Sequence, residues 1–198
     1  LVGAGRTEVA EAIFGAAPYK AGQVEINGKP VTIKSPIDAM AHGIALIPED
    51  RKRHGFIRNL DNKMNMFVPL FGKRRQYWVD KKKILANFEK YREALQIHPE
   101  DPNYMTVQLS GGNQQKIILA KWLGTEADIL IFDEPTKGID VGAKAEIYLL
   151  IQALAKDGKA IIVISSELPE ILGLSHRILV MHEGHKVVEL VNRDLDEK

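Results

Sequence analysis

The chain has no cysteine. That excludes disulfides and thiolate metal sites, and it suits a reducing compartment. It also lacks an excess of charge of either sign. Lys plus Arg number 27 and Asp plus Glu 26, a formal net charge of +1. A domain built to track a nucleic-acid backbone carries a larger basic surplus, so no nucleic-acid partner is expected. Long apolar runs are missing, and none approaches the length of a membrane span. No stretch has the order of a secretory signal, and neither internal repeats nor low-complexity segments occur. What remains is ordinary globular material, with 45% hydrophobic and 27% charged residues among 198. That length suits one domain, or one domain carrying a subdomain.

Hydrophobic spacing divides the chain into short elements. Gly3–Gly5 reads as a turn running into a helix whose Val9, Ala10, Ile13 and Phe14 recur at helical spacing. Asn27–Gly28 lies between two β-like runs within 22–34 and predicts a hairpin. Ser35 and Pro36 open a short helix over 36–42. Residues 43–48 (GIALIP) read as a buried strand, and the polar stretch from Glu49 to Asn62 as a functional loop. Residues 63–100 carry Lys, Arg, Glu and large apolar residues at helical spacing. Beyond a loop over 101–108, helices over 111–123, 141–156 and 167–173 alternate with strands at 129–132 and 160–164. A last strand at 177–182 turns at Glu183–Gly184 into 186–191. Short apolar strands between helices predict an α/β fold with a parallel sheet covered on both faces.

Three motifs carry chemistry. Leu1–Thr7 (LVGAGRT) matches all of a phosphate-loop pattern after its first glycine. Glycines let successive N–H groups turn toward phosphate oxygens, and the following helix adds its positive end. Thr7 is placed to offer a hydroxyl to Mg²⁺. Arg6 stands where the pattern wants Lys, and a planar guanidinium is larger and more directional than an ammonium. Glu8 adds a carboxylate that repels phosphate. The plainer alternative is a glycine turn before an amphipathic helix. In Ile129–Glu134 (ILIFDE), four apolar residues lead to two carboxylates at the C-terminal end of a strand, where ligands bind in open α/β sheets. Asp133 is positioned to hold Mg²⁺ and Glu134 to polarise a water for phosphoryl transfer. First-turn acids capping a helix are the alternative. Leu109–Lys116 (LSGGNQQK) presents Ser110, Gly111, Gly112 and Asn113 at the start of a helix, a second anion-binding arrangement or a simple N-cap.

Taken together, these strings resemble those of ATP-binding cassette (ABC) ATPases. LSGGNQQK is similar to the family signature, ILIFDEP to Walker B, GAGRT to Walker A, and Gly138-Ile139-Asp140 to the D-loop. The resemblance covers essentially the whole chain. It implies a P-loop NTPase-like α/β fold, with a mostly parallel sheet, flanking helices and an inserted helical subdomain. The catalytic core would be residues 1–50 and 108–198, the helical subdomain about 58–107, and the N-terminal strands of the cassette would be missing. It implies ATP and Mg²⁺ as ligands. Nucleotide would be bound by Gly3, Ala4, Gly5, Arg6, Thr7, Glu8, Glu49, Ser110, Gly111, Gly112 and Asn113. Metal would be held by Thr7, Asp133 and Glu49, Glu134 and Ser166 would be catalytic, and Asp140 would serve the D-loop.

The string PEDRK at 48–52, the GAGRTE loop and the NQQK ending resemble the C-terminal cassette of tandem monosaccharide-import ATPases of the ribose, xylose, arabinose and galactose type. That resemblance implies several partners: an N-terminal cassette on the same polypeptide, membrane permease subunits and, indirectly, a sugar-binding protein. It implies a peripheral position on the cytoplasmic face of the bacterial inner membrane. Glu49 stands where most cassettes carry a Gln, and Ser166 where most carry a His. A serine donates one hydrogen bond but carries no imidazolium charge. With Arg6 and Glu8, these departures all fall on the Walker side, so that site is expected to turn over slowly while the signature serves the partner cassette. A DNA-repair or translation ATPase, and a structural cassette that never hydrolyses, are the competing classes. The basic runs Lys73–Arg75 and Lys81–Lys83 favour the first most, or else form a solvated or permease-facing surface.

Overall fold

A computed structural model describes residues 3–19, 21–74 and 80–192. Its centre is a parallel three-stranded sheet in the order β3-β4-β5, with β3 at Ile44–Ile47, β4 at Ile129–Asp133 and β5 at Ala160–Ile164. Ile44 pairs with Ile129, and Ile129 in turn with Ala160. Leu130, Ile131 and Phe132 are at most 1% exposed, so β4 is buried on both faces. Continuous apolar runs with β-branched residues suit that position, because a central parallel strand meets packed side chains above and below. Each large side chain so buried contributes about 1.5–3 kcal/mol.

Helices cover this sheet. In α1 (Arg6–Ile13) Ala10 is buried, and Phe14 just beyond it sets its ring edge-on to Trp122 at 5.3 Å. Ser35 caps α2 (Pro36–Ala41) by accepting from the Asp38 N–H. The helix α5 (Gly111–Leu123) buries Ile118, Leu119 and Trp122 in the same core, and α6 (Val141–Lys156) adds Ile147 and Ile151. The hairpin of β1 (Val24–Ile26) and β2 (Lys29–Val31) turns at Asn27–Gly28, where both φ angles are positive. Two helices in the middle of the chain, α3 (Asn62–Arg74) and α4 (Lys81–Ala94), gather smaller apolar clusters. Met66, Phe88, Tyr91 and Ile97 pack with Leu109 and Ile117, while Phe67 and Leu70 pack with Ile84. Lys81, Lys82 and Lys83 are exposed at the start of α4, and Arg75 lies outside the described residues.

Two features differ from expectation. The polar stretch after β3 is not irregular, since Arg51–Gly55 winds a π-helical turn with Asp50 accepting from the N–H groups of Lys52 and Arg53. Its end is pinned by Lys121, whose ammonium donates to Gly55 O at 2.8 Å. Burial pushes that ammonium down to about 8. As the Glu183–Gly184 turn predicts, the final strands form a hairpin of their own, apart from the parallel sheet. After α7 (Leu168–Leu174), β6 (Arg177–His182) and β7 (His185–Val191) pair antiparallel with each other. Glu183 and Gly184 both take positive φ, which forms a tight reversal, and local pairing follows. Cover on both faces is incomplete as well, for Ile162 on β5 is 41% exposed.

One polar cluster clips the middle segment to the stretch before Ser110. Asn65, 1% exposed, accepts from Ile57 N at 2.7 Å. Its amide nitrogen lies 3.0 Å from Ile57 O, Leu60 O and Thr106 Oγ1. Thr106 passes its own proton to Asn62 at 2.9 Å. Replacing Asn65 with Ala leaves several of these groups buried and unpaired. Asn65→Ala is expected to lower unfolding free energy by about 3 kcal/mol, read from the midpoint of a urea titration with unchanged slope.

Candidate functional site

The C-terminal ends of three parallel strands open toward the start of α1, and most of the predicted residues meet there. Gly3 and Gly5 have φ of +88° and +85°, the left-handed region that glycine enters without strain. A Cβ on Gly5 would stand 2.8 Å from Gly184 Cα, so no other residue fits while the β6–β7 turn rests against the loop. That contact is fastened by Gly184 N–H donating to Ala4 O at 3.1 Å. Glu8 is exposed on the first turn of α1.

Asp133 ends β4 at 2% exposure. Burial, and then the nearby Glu49 and Glu134 carboxylates, push its carboxyl up to about 6, against the Thr7 hydroxyl that donates to it and the Arg6 charge. Its Oδ1 is buried with no hydrogen-bond partner in the structure. A hydroxyl beside a buried carboxylate with an open lone pair fits Mg²⁺, which takes one or two protein oxygens and completes its shell with phosphate and water. Among the described residues no three His, Cys, Asp or Glu side chains converge as a self-sufficient metal cage. Glu49 stands by at the end of β3, paired instead to Lys137 Nζ at 2.6 Å.

Glu134 adopts φ of +47°, rare for a side-chain-bearing residue, with its N–H held by Ile164 O at 2.8 Å. Such strain, of order 1–3 kcal/mol, persists only where the surroundings enforce it. Its carboxylate is held from two sides. Arg6 Nη2 lies 3.9 Å from Oε1, and Ser166 Oγ donates to Oε2 at 3.1 Å. Arg6 also donates from Nη1 to Ser165 O at 2.6 Å.

A second face gathers the remaining predicted residues. Ser110 caps α5 and accepts from Asn113 through both its backbone N–H and its amide, at 3.4 and 3.2 Å. The Asn113 carbonyl accepts from His98 N at 2.9 Å. Asp140 caps α6 through Ala143 N at 3.0 Å. A Cβ on Gly112 would lie 3.1 Å from Ala143 Cβ, so glycine lets the two helix starts approach closely. Between them is a cavity of about 230 Å³ bordered by Ser110, Asn113, Lys116, Asp140 and Glu146.

Three functional contacts had no clear sequence signal. Arg51 donates to Gly111 O at 3.4 Å and to Gly138 O at 3.3 Å, joining the π-turn to both parts of the second face. Glu170, 4% exposed, accepts from Thr136 Oγ1 at 3.1 Å and from the Ser165 hydroxyl, tying together the loops that carry Glu134 and Ser166. Lys137 takes Glu49, as above. A glutamate in an amphipathic helix and an arginine in a charged loop both read as solvated until the fold surrounds them.

Comparison with known proteins shows the family and the fold. Residues 2–137 match a protein family described as ABC transporter. The chain is 49% identical over 202 residues to a xylose import ATP-binding protein of Burkholderia cenocepacia, and 47% identical over 199 residues to a ribose import ATP-binding protein of Geobacillus kaustophilus. All of this chain is covered in both, against 38% and 40% of those proteins, so it spans about two fifths of their length. Among solved structures, it resembles a nucleotide-free ATP-binding cassette from an ABC transporter, with TM-score 0.83 and 19% identity over 98% of this chain and 79% of that one. It resembles a dimeric cassette bound to ADP and Pi with TM-score 0.81 and 20% identity, over 97% of this chain and 82% of that one. The fold is therefore the P-loop NTPase fold of such cassettes.

The raised Asp133 carboxyl gives a signed expectation. Its folded value of about 6 lies above the ordinary 3.8, so the folded state holds more protons between these limits. Stability then falls as pH rises from about 4 to about 6 and levels off above. Asp133→Asn is expected to remove that fall and to stabilise the nucleotide-free protein by about 2 kcal/mol at pH 7, with no gain below about pH 4, in urea unfolding across pH.

Proposed function

The chain belongs to the ABC transporter family, and on that premise we propose that it is the C-terminal, ATP-binding cassette of a monosaccharide-import ATPase. Support comes from relatives named for ribose and xylose import, each long enough to hold another cassette of this size. The partners proposed are an N-terminal cassette on the same polypeptide, membrane permease subunits and a sugar-binding protein. No described helix is long and apolar enough to cross a membrane, so attachment to the cytoplasmic face of the inner membrane would run through the permease. Residues 1–50 and 108–198 form the catalytic core in this reading, and about 58–107 the helical subdomain.

The observation that carries the mechanism is the separation of the site residues onto two faces. On the Walker face, the loop of Gly3, Ala4 and Gly5 supplies N–H groups to phosphates, and Thr7 with Asp133 holds Mg²⁺, which offsets phosphate charge. Glu134 orients a water toward the outermost phosphate. That glutamate is engaged by Arg6, which keeps the charge of a lysine but not its compact shape, and by Ser166, which has no imidazolium charge. Glu8 adds further negative charge. This site therefore binds nucleotide and turns over slowly or not at all. On the other face, Ser110, Gly111 and Gly112, with Asp140 alongside, complete the working site of the N-terminal cassette.

Two measurements test this. In the two-cassette protein, Ser110→Arg is expected to lower ATP turnover by about 10²-fold or more, whereas Glu134→Gln leaves most of it. The reverse result overturns the assignment. The isolated 198-residue chain is expected to sediment as a monomer and to hydrolyse ATP only at background rates, since each composite site needs a second cassette. Cooperative hydrolysis by the chain alone contradicts it.

A further inference from the structure

The side chain of Arg6 crosses the site rather than lining it. It leaves the first residue of α1 and ends on the loops beyond β4 and β5, at Glu134 and Ser165 O. The glycine turn lies on one side of that crossing and the Glu134–Ser166 pair on the other. For Glu134 to orient a water on a terminal phosphate, that phosphate must stand between them. The guanidinium spans the same interval. We propose that Arg6 is a specificity-determining residue that makes this site a holder of a nucleoside diphosphate in preference to a triphosphate. The proposal rests on the reading that the loop at residues 3–8 binds nucleotide.

The charges around the crossing supply the reason. Asp133, Glu134 and Glu49 converge from the ends of β4 and β3, and Glu8 adds a carboxylate on α1. Lys137 is committed to Glu49 at 2.6 Å. Arg6 is the cation within ion-pair range of Glu134 among the described residues, while Lys137, bonded to Glu49, acts on Glu134 from farther off. A diphosphate can end on the N–H groups of the loop and leave the contacts of Arg6 to Glu134 and Ser165 in place. A third phosphate draws the guanidinium to itself and turns Glu134, now without its nearest cation, toward two or more negative oxygens. The planar fork adds a directional constraint, since Nη1 is held by Ser165 O at 2.6 Å and a rigid guanidinium drawn toward a phosphate cannot keep both that contact and Glu134. A lysine ammonium, being compact and rotatable, would meet neither restriction. Ser166 cannot relieve the conflict, because its hydroxyl is already given to Glu134 and carries no net charge.

The test is equilibrium binding of ADP and of ATP to the 198-residue chain at saturating Mg²⁺, by calorimetry, with a non-hydrolysable triphosphate in parallel. The quantity compared is the ratio of the ATP to the ADP dissociation constant. The wild-type chain is expected to give a ratio of about 10. Arg6→Lys, which keeps the charge, and Glu134→Gln, which removes the repelling carboxylate, are each expected to lower it about 10-fold. A wild-type ratio at or below about 1 overturns the proposal, as does a ratio unmoved by either substitution, and both outcomes leave nucleotide binding intact. Failure to bind either nucleotide overturns the nucleotide-binding reading itself, and the proposal with it.

Discussion

The site depends on the burial of one strand. β4 is enclosed by its neighbours along Leu130–Phe132, and a strand so enclosed has to end where its polar residues begin. The first polar residue, Asp133, is still inside the protein at 2% exposure, and Glu134 turns out of the strand with a positive φ. Two carboxylates are thus delivered to the mouth of the sheet by apolar packing alone. The cost of leaving Asp133 there is offset by Thr7 and Arg6, both supplied by the helix that starts opposite. Phosphate chemistry uses this arrangement because it places negative charge where a cation and a phosphate can bridge it.

The same burial explains why cations are distributed as they are. Arg6 and Lys137 each take a carboxylate, Glu134 and Glu49 respectively, while Arg51 is turned to backbone carbonyls at Gly111 and Gly138. Residues 49–51 thereby contact both faces, through Glu49 on the strand ends and Arg51 on the starts of α5 and the loop before α6. The second face has little buried charge of its own and is built from helix caps and close backbone approach. One face is consequently set by electrostatics, the other by shape.

Much of this was legible in the residues because local physics enforces it. Ser35 and Ser110 are caps whose side chains satisfy N–H groups within three residues, so the helices they open could be placed by reading. The strands at 160–164 and 177–182 and the helix at 141–156 fall where apolar spacing predicts them. Pairing was less legible. The Glu183–Gly184 turn predicts that β6 folds back on β7, but not that this pair stays a separate sheet from β3-β4-β5. The π-turn at Arg51–Gly55 also escaped the pattern, since it is held by Asp50 and by Lys121, which lies 66 residues beyond Gly55 in sequence.

The sequence by itself determined the two glycine-rich loops, the apolar strand with its paired carboxylates, and the departures at Arg6, Glu49 and Ser166. These are matters of residue type at short spacing, and the conformations they impose are local. Only the tertiary structure decided what those departures do. Arg6 and Ser166 lie far apart in the chain yet hold the same carboxylate, and Glu170 becomes a buried brace because α7 packs beneath the strand ends. Such contacts depend on distances across the sheet, which spacing along the chain does not encode.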